Sequence, residues 1–387
     1  MHVLNLYTTT VNFDFLASLT TQHLVVLISF ALFFIIQLTY YTTLFSRIAF
    51  YKKNNKSLTN NEAQKGVSVV ICVRNESERL KEILPCILEQ NCLKYEVIVV
   101  NNCSTDDSED VLNLLKIDYP NLVSRTIELD KIFAHNNSMA WGVGFKAAKY
   151  DWIVLTDINC YPQNNNWLSS LQKNFNDNTE VVLSYTDITQ NKLLRADNFL
   201  NALYYLSKAR AKKPYMGTGT NLAFHKSLFF NNRGFHAQLK LYDKADSIFI
   251  NSIVTAKNTV VDLSSDTINK SSLKISFKEW RLKCRDEYHS RRLFRAGTRY
   301  TGCAEMVTRV IFYVMFVIAF IYSLPIQWAW IMVLSMFGMR LIIQILIFAK
   351  VQKRLKEKGI LFASLFWDII SPIVYLPIIM LSKKGRG

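Results

Sequence analysis

The first chemical question in this chain is set by Asp157 and Asn159. They follow the apolar run Trp152-Ile-Val-Leu155, which reads as a buried strand, in the spacing Asp-x-Asn. A carboxylate at a strand end, with a second oxygen ligand two positions on, can hold a hard divalent cation such as Mg2+ or Mn2+ against a diphosphate. The same spacing is also a common turn cap, and the local pattern leaves both readings open. A second chemical feature is a pair of ions in apolar surroundings, Arg340 and Asp368. Both lie seven to nine residues, or about 10–14 Å at about 1.5 Å per residue, from the nearer end of an apolar stretch. Equal depth and opposite charge predict that they meet, because a lone ion in hydrocarbon costs at least about 2.5 kcal/mol. The seven cysteines (72, 86, 92, 103, 160, 284 and 303) are odd in number and contain no Cys-x-x-Cys pair, which argues against a zinc site or a disulfide framework.

The elements that must position Asp157 follow from the hydrophobic pattern. Val67 to Val73 reads as a buried strand, and Arg74-Asn75-Glu76-Ser77 then supplies helix-start chemistry. Leu80, Ile83, Leu84, Ile87 and Leu88 follow on one helical face. A second strand, Glu96 to Val100, ends in Asn101-Asn102-Cys103-Ser104-Thr105-Asp106-Asp107, after which Ser108 to Leu115 is helical. Strand and helix alternating at this spacing predict a parallel sheet with right-handed crossovers, which binds ligands at the carboxyl ends of its strands. No G-x-G-x-x-G follows the first strand, so a dinucleotide dehydrogenase is disfavoured.

Of the 387 residues, 50% are apolar and 20% charged, with a net charge of +16. That composition excludes a disordered chain and a small disulfide scaffold. The apolar residues concentrate at the ends. After a tail over 1–22, the chain is long and uncharged enough to cross a bilayer at 23–45, and again at 309–324 and 327–349. A last stretch, 360–381, is interrupted by Asp368, Pro372 and Pro377, and its basic tail favours a re-entrant path. The tail before the first span has no Lys or Arg, whereas Arg47, Lys52, Lys53 and Lys56 follow it. Arg291, Arg292, Arg295 and Arg299 precede the second span, and Lys350, Lys353, Arg354, Lys356 and Lys358 follow the third. This bias places the middle of the chain in the cytoplasm. The basic segment 266–307 then reads as interfacial helices facing anionic lipid headgroups or an anionic substrate, not nucleic acid.

With these pieces in order, the chain resembles the membrane-bound family-two glycosyltransferases of the GT-A fold. The stretches that carry the resemblance are VSVVICVRNESERL, EVIVVNNCSTDD, FKAAKYDWIVLTDINCYP and YMGTGTNLAFHKSLFF. It implies an α/β fold: a nucleotide-sugar-binding domain with a mixed, mainly parallel sheet over 47–265, flanked by transmembrane helices. It also implies an inner-membrane, multi-pass enzyme of surface-polysaccharide synthesis. Such an enzyme moves a sugar, with inversion, from a nucleotide-sugar donor to a carbohydrate or lipid-linked acceptor. Carried over by position, the donor contacts are Arg74, Glu76, Asn102, Asp157, Arg281 and Arg285. The metal ligands for Mg2+ or Mn2+ are Asp157 and Asn159, and the catalytic base is Asp246 or Asp243. Gly217, Gly219 and Asn221 form an acceptor-side loop, for which a plain tight turn is the competing reading. The sequence departs from the family at three acidic positions, now Asn102, Asn159 and Ala245. Those losses leave a second expectation beside the enzyme, a membrane scaffold that binds a nucleotide sugar or a partner membrane enzyme.

Overall fold

The computed structural model describes residues 20–52, 65–128, 137–232 and 245–381. The central sheet is built from β1 (Val67–Val73), β2 (Tyr95–Asn102), β3 (Leu122–Ile127), β4 (Trp152–Leu155), β6 (Val181–Leu183), β8 (Leu222–His225) and β9 (Thr259–Val261). Their order is β3-β2-β1-β4-β8-β6-β9. All neighbours run parallel except at β8, which is antiparallel to both β4 and β6. The sheet is thus mixed and mainly parallel, as expected. β1 is buried on both faces, which explains its unbroken run of apolar side chains instead of an alternating one.

α1 (Thr21–Ala49) precedes the sheet, and α2 (Ser77–Leu88), α3 (Ser108–Asp118) and α4 (Asn137–Ala147) connect its parallel strands. α2 buries the five residues the periodicity picks out, Leu80, Ile83, Leu84, Ile87 and Leu88. At about 1.5–3 kcal/mol per side chain, that face outweighs the Pro85 the helix contains. A small second sheet joins β5 (Cys160–Pro162), β10 (Asn269–Ser271) and β7 (Thr186–Ile188) in that order. Four further helices belong to this region of the chain, α5 (Trp167–Gln172), α6 (Lys192–Arg210), α7 (Ser227–Asn231) and α8 (Ala245–Ile253). α9 (Phe277–Ser290) starts with a capping box, Ser276 and Glu279 each bonding the other's backbone.

Three long helices close the chain: α10 (Thr301–Ser323), α11 (Gln327–Arg354) and α12 (Leu361–Leu381). With α1 they make four helices long and apolar enough to cross a membrane. The last runs as one continuous helix through Pro372 and Pro377. Proline is tolerated in such helices because neighbouring groups take over the freed backbone carbonyls. α10 begins eight residues before the expected 309, so Arg309 and Glu305 enter the helix bundle.

The predicted ion pair is present, with Arg340 Nη2 3.2 Å from Asp368 Oδ2. The sequence reading missed Arg309, whose Nη1 lies 2.6 Å from Asp368 Oδ1 and whose Nε lies 3.3 Å from Glu305. Two cations and two carboxylates therefore balance. Tyr313 donates to Asp368 (2.8 Å), and Arg340 donates to Tyr41 (3.2 Å) and Gln344 (2.6 Å). A π-helical turn in α1, Tyr40–Phe45, contains that Tyr41. One network thus ties all four apolar helices together.

Candidate active site

The carboxyl ends of β1, β2 and β4 converge on one edge of the sheet. Asn75 and Cys103, just beyond β1 and β2, both take the left-handed backbone region, with φ of 52° and 58°. The two loops are clamped to each other. Asn75 N donates to Ser104 Oγ (2.9 Å), Thr105 N to Asn75 Oδ1 (2.8 Å), Glu76 N to Ser108 Oγ (3.2 Å) and Ser77 N to Asp106 Oδ2 (3.1 Å). Burial acts to raise the Asp106 carboxyl, but hydrogen bonds with Ser108 and Ser77 outweigh it and hold the group below its ordinary range. Asp106 and Ser104, which sequence reasoning left unassigned, are therefore what fixes these loops.

Of the expected donor contacts, Arg74 is exposed and Glu76 half-buried beside this clamp. Asn102 is 3% exposed, and its amide nitrogen has no hydrogen-bond partner among the described residues. Asp157 Oδ1 accepts from both the backbone N and the side-chain Nδ2 of Asn159, each at 2.8 Å. Asn159 therefore presents a donor to Asp157. Burial and then the Asp157 charge push Glu76 above its ordinary value, while Asn159 bonds to Glu76 as well. Burial with the same Asp157 charge pushes the Cys160 thiol up to about 12 and raises Cys72. The pocket is thus locally electronegative. The residues present nevertheless do not fit a preformed metal cage: Asn159 offers N–H where a ligand oxygen was expected. Among the described residues no group of three His, Cys, Asp or Glu converges on a common point.

A cavity of about 260 Å³ opens beside this edge. It is walled by β7, α6, the 216–220 loop, the start of α8, the chain after β10, and α9. Gly217 and Gly219 line it, together with Asp246, Thr218, Asn198 and Ser271. A side chain would be crowded at either glycine. A Cβ on Gly217 would lie 2.8 Å from Leu183 Cδ2, and one on Gly219 would lie 3.3 Å from Leu155 Cδ2 and 3.4 Å from Asp246 Cβ. The close approach of Gly219 sets Asp246 against the end of β4, and Thr156 Oγ1 reaches Thr220 O at 3.0 Å from the same strand end. The Asp157 edge and the cavity are therefore contiguous.

The remaining expected residues fall elsewhere. Asn221 is buried outside the cavity, where it donates to Tyr185 O (2.9 Å) and Thr267 O (2.7 Å) and accepts from Trp167 Nε1 (3.3 Å). It braces the loop from behind, which its sequence position next to the glycines concealed. On α9, Arg281 and Arg285 are exposed away from the cavity, and Arg285 pairs with Asp286 at 3.0 Å. Lys283 and Glu287 line the cavity instead. A helix can present only one of its faces, and the i, i+4 pair Lys283 and Glu287 occupies it. Asp243 lies outside the described residues, as does the side chain of Ala245.

Residues 68–231, from β1 through α7, match the family described as Glycosyl transferase family 2. The chain carries a glycosyl transferase family 2 domain. The resemblance read from the four sequence stretches is thus borne out. Among curated relatives, the poly(ribitol-phosphate) beta-glucosyltransferase of Bacillus spizizenii is 34% identical over 99 residues, 24% of this chain and 15% of that protein. The poly-beta-1,6-N-acetyl-D-glucosamine synthase of Staphylococcus aureus is 26% identical over 113 residues, 29% of this chain and 26% of that one. The matches thus span about a quarter or less of these relatives' own lengths. A solved structure, the mannosyltransferase PcManGT from Pyrobaculum calidifontis in complex with GDP-Man and Mn2+, superposes with a TM-score of 0.58 at 17% identity. It covers 90% of this chain and 99% of that one, a likeness of fold that extends well beyond the family 2 segment.

Proposed function

We propose that this protein is a membrane-bound inverting glycosyltransferase, its donor a nucleotide sugar and its acceptor a carbohydrate or a lipid-linked sugar. The observation that carries the reading is the contiguity of the Asp157 edge with the cavity that holds Asp246. The nucleotide would lie over the clamped loops after β1 and β2, against Arg74, Glu76 and Asn102, with its diphosphate toward Asp157. The acceptor hydroxyl would enter the cavity beside Gly219, where bare backbone leaves room for a sugar ring. Asp246, as general base, would take the proton of that hydroxyl as its oxygen attacks the anomeric carbon and the nucleoside diphosphate departs from the opposite face. Lys283, which lines the cavity, would face the reacting groups in place of Arg281 and Arg285. Because the Asp157–Asn159 pair does not fit a resident Mg2+ or Mn2+, no step is assigned to a metal.

The four apolar helices support an inner-membrane location, and the distribution of basic residues supports a cytoplasmic catalytic domain. Phe50 is exposed with Lys350 Nζ 4.0 Å over its ring, and Arg210 and Arg354 lie at 5.1 and 5.6 Å from the ring of Tyr51. Aromatic and cationic groups so grouped at helix ends suit anionic lipid headgroups.

The test is release of nucleoside diphosphate by the purified full chain in detergent with a panel of nucleotide sugars, a set of free and lipid-linked sugars, and Mn2+. We expect turnover that falls by about 10²-fold or more in Asp246→Asn and in Asp157→Ala. Nucleotide-sugar binding without turnover for every sugar would refute the enzyme and support the scaffold reading. The specific observation favouring that second reading is Asn159, an uncharged amide that donates to Asp157 where the resemblance implies a second carboxylate.

A further inference from the structure

The connection between α11 and α12, residues 355–360, carries a buried acid that the mechanism above does not use. Glu357 has a fully covered side chain and reaches back into the family 2 domain. Its Oε1 accepts from Tyr185 Oη at 2.6 Å, and its Oε2 lies 2.5 Å from Arg195 Nη2. The same guanidinium nitrogen is 3.9 Å from the buried Asp187 Oδ1. Asp187 and Glu357 thus face each other across a single arginine. From this junction Asn198 Nδ2 donates to Tyr185 Oη and to Thr186 O, both at 3.1 Å. Thr186, Ile188 and Asn198 are wall residues of the 260 Å³ cavity.

We infer that Glu357 is a positioning residue of that cavity: the hairpin of α11 and α12 holds the β7 and α6 wall through Tyr185 and Arg195, and whether the Glu357 carboxyl holds a proton sets the strength of the grip. The inference rests on reading the cavity as the acceptor site. The charged and titratable groups facing the pair are Tyr185, Asp187 and Lys270 from the small sheet and the chain leading into it, and Arg195 with Tyr205 from α6. On the connection itself Lys356 is half-buried and Lys358 exposed. Burial first, and then the Asp187 charge, push Glu357 up to about 7, and burial raises Asp187 as well. An acid raised in the folded state favours the proton-bound form. The junction is therefore tight at acid pH and loosens as pH rises through about 7, when two carboxylates must share one guanidinium.

Hydrogen exchange read by mass spectrometry on the full chain in detergent, over peptides spanning 185–198, tests this without a known substrate. After correction for intrinsic exchange, we expect about tenfold faster exchange at pH 8 than at pH 6, since the proton-bound share of a group titrating near 7 falls from about nine-tenths to about one-tenth over that range. Glu357→Gln, which keeps a neutral partner for Tyr185, should remain protected at both pH values, and Glu357→Ala at neither. Corrected exchange in the unmodified protein that does not change with pH, or that keeps its pH dependence in Glu357→Gln, would overturn the inference. Should Glu357→Ala fail to fold, the comparison with Glu357→Gln still decides. Because this readout is independent of turnover, a failure of the junction is distinguishable from a failure of the acceptor-site reading, which the Asp246 and Asp157 variants test.

Discussion

Replacing Asp368 by Asn would leave Arg340 with no carboxylate among the described residues, whereas Arg309 would keep Glu305 at 3.3 Å. The four-charge cluster of Glu305, Arg309, Arg340 and Asp368 would change from neutral to +1 inside the helix bundle. Breaking a buried pair by removing one partner costs about 3–5 kcal/mol, since the other charge remains desolvated and uncompensated. Arg340→Met removes the opposite charge, leaves the cluster at −1, and should cost a similar amount. The double variant is neutral again, so the two losses should not add. We expect a coupling of about 2 kcal/mol or more, far above the roughly 0.6 kcal/mol typical of a neutral interhelical hydrogen bond in a membrane protein. Tyr41→Phe supplies a comparison that leaves the cluster's net charge unchanged, since it removes only the 3.2 Å charge-assisted bond from Arg340. Reversible unfolding in mixed micelles, with increasing SDS and tryptophan fluorescence as the signal, measures all four variants. Additive losses for Asp368→Asn and Arg340→Met would refute the idea that the network is bound by charge.

Three further outcomes follow from the site. Asn159→Asp would replace the group that donates to Asp157 and Glu76 by a third carboxylate. It should lower thermal stability without metal, increasingly as pH rises through the already elevated Glu76 value, and Mn2+ should raise its melting temperature by several degrees more than that of the unmodified protein. Gly219→Ala pushes a methyl group against Leu155 and Asp246, so turnover should fall at least tenfold while the melting temperature moves by no more than a few degrees. Asn221→Ala takes one of two donors from each of the Tyr185 and Thr267 carbonyls, which keep Asn269 N and Ser184 Oγ, and leaves the buried Trp167 Nε1 without its acceptor; it should cost about 1–3 kcal/mol in chemical denaturation, with activity lost in proportion to unfolding.

Much of the fold was legible because period and burial coincide. β1 and β4 run where their apolar residues run, α2 buries the face its spacing marks, and Arg340 meets Asp368 because an apolar helix bundle leaves a lone buried ion no alternative. The strand-end position of Asp157 was likewise fixed by the sequence, since a buried strand must stop where the first charged side chain follows it. What the sequence left open was decided by groups far apart along the chain. The choice between a ligand and a turn cap at Asn159 depends on which way one amide points, and the fold points its N–H at Asp157. Which cation of α9 faces the cavity depends on the rotation of that helix, and Asn221 turned inward because Trp167, Tyr185 and Thr267 offered partners. Glu357 lies 172 residues from the tyrosine it holds. No local pattern encodes such a contact, because hydrogen bonds and buried charges act over a few ångströms of space, and only the tertiary fold brings those residues that close.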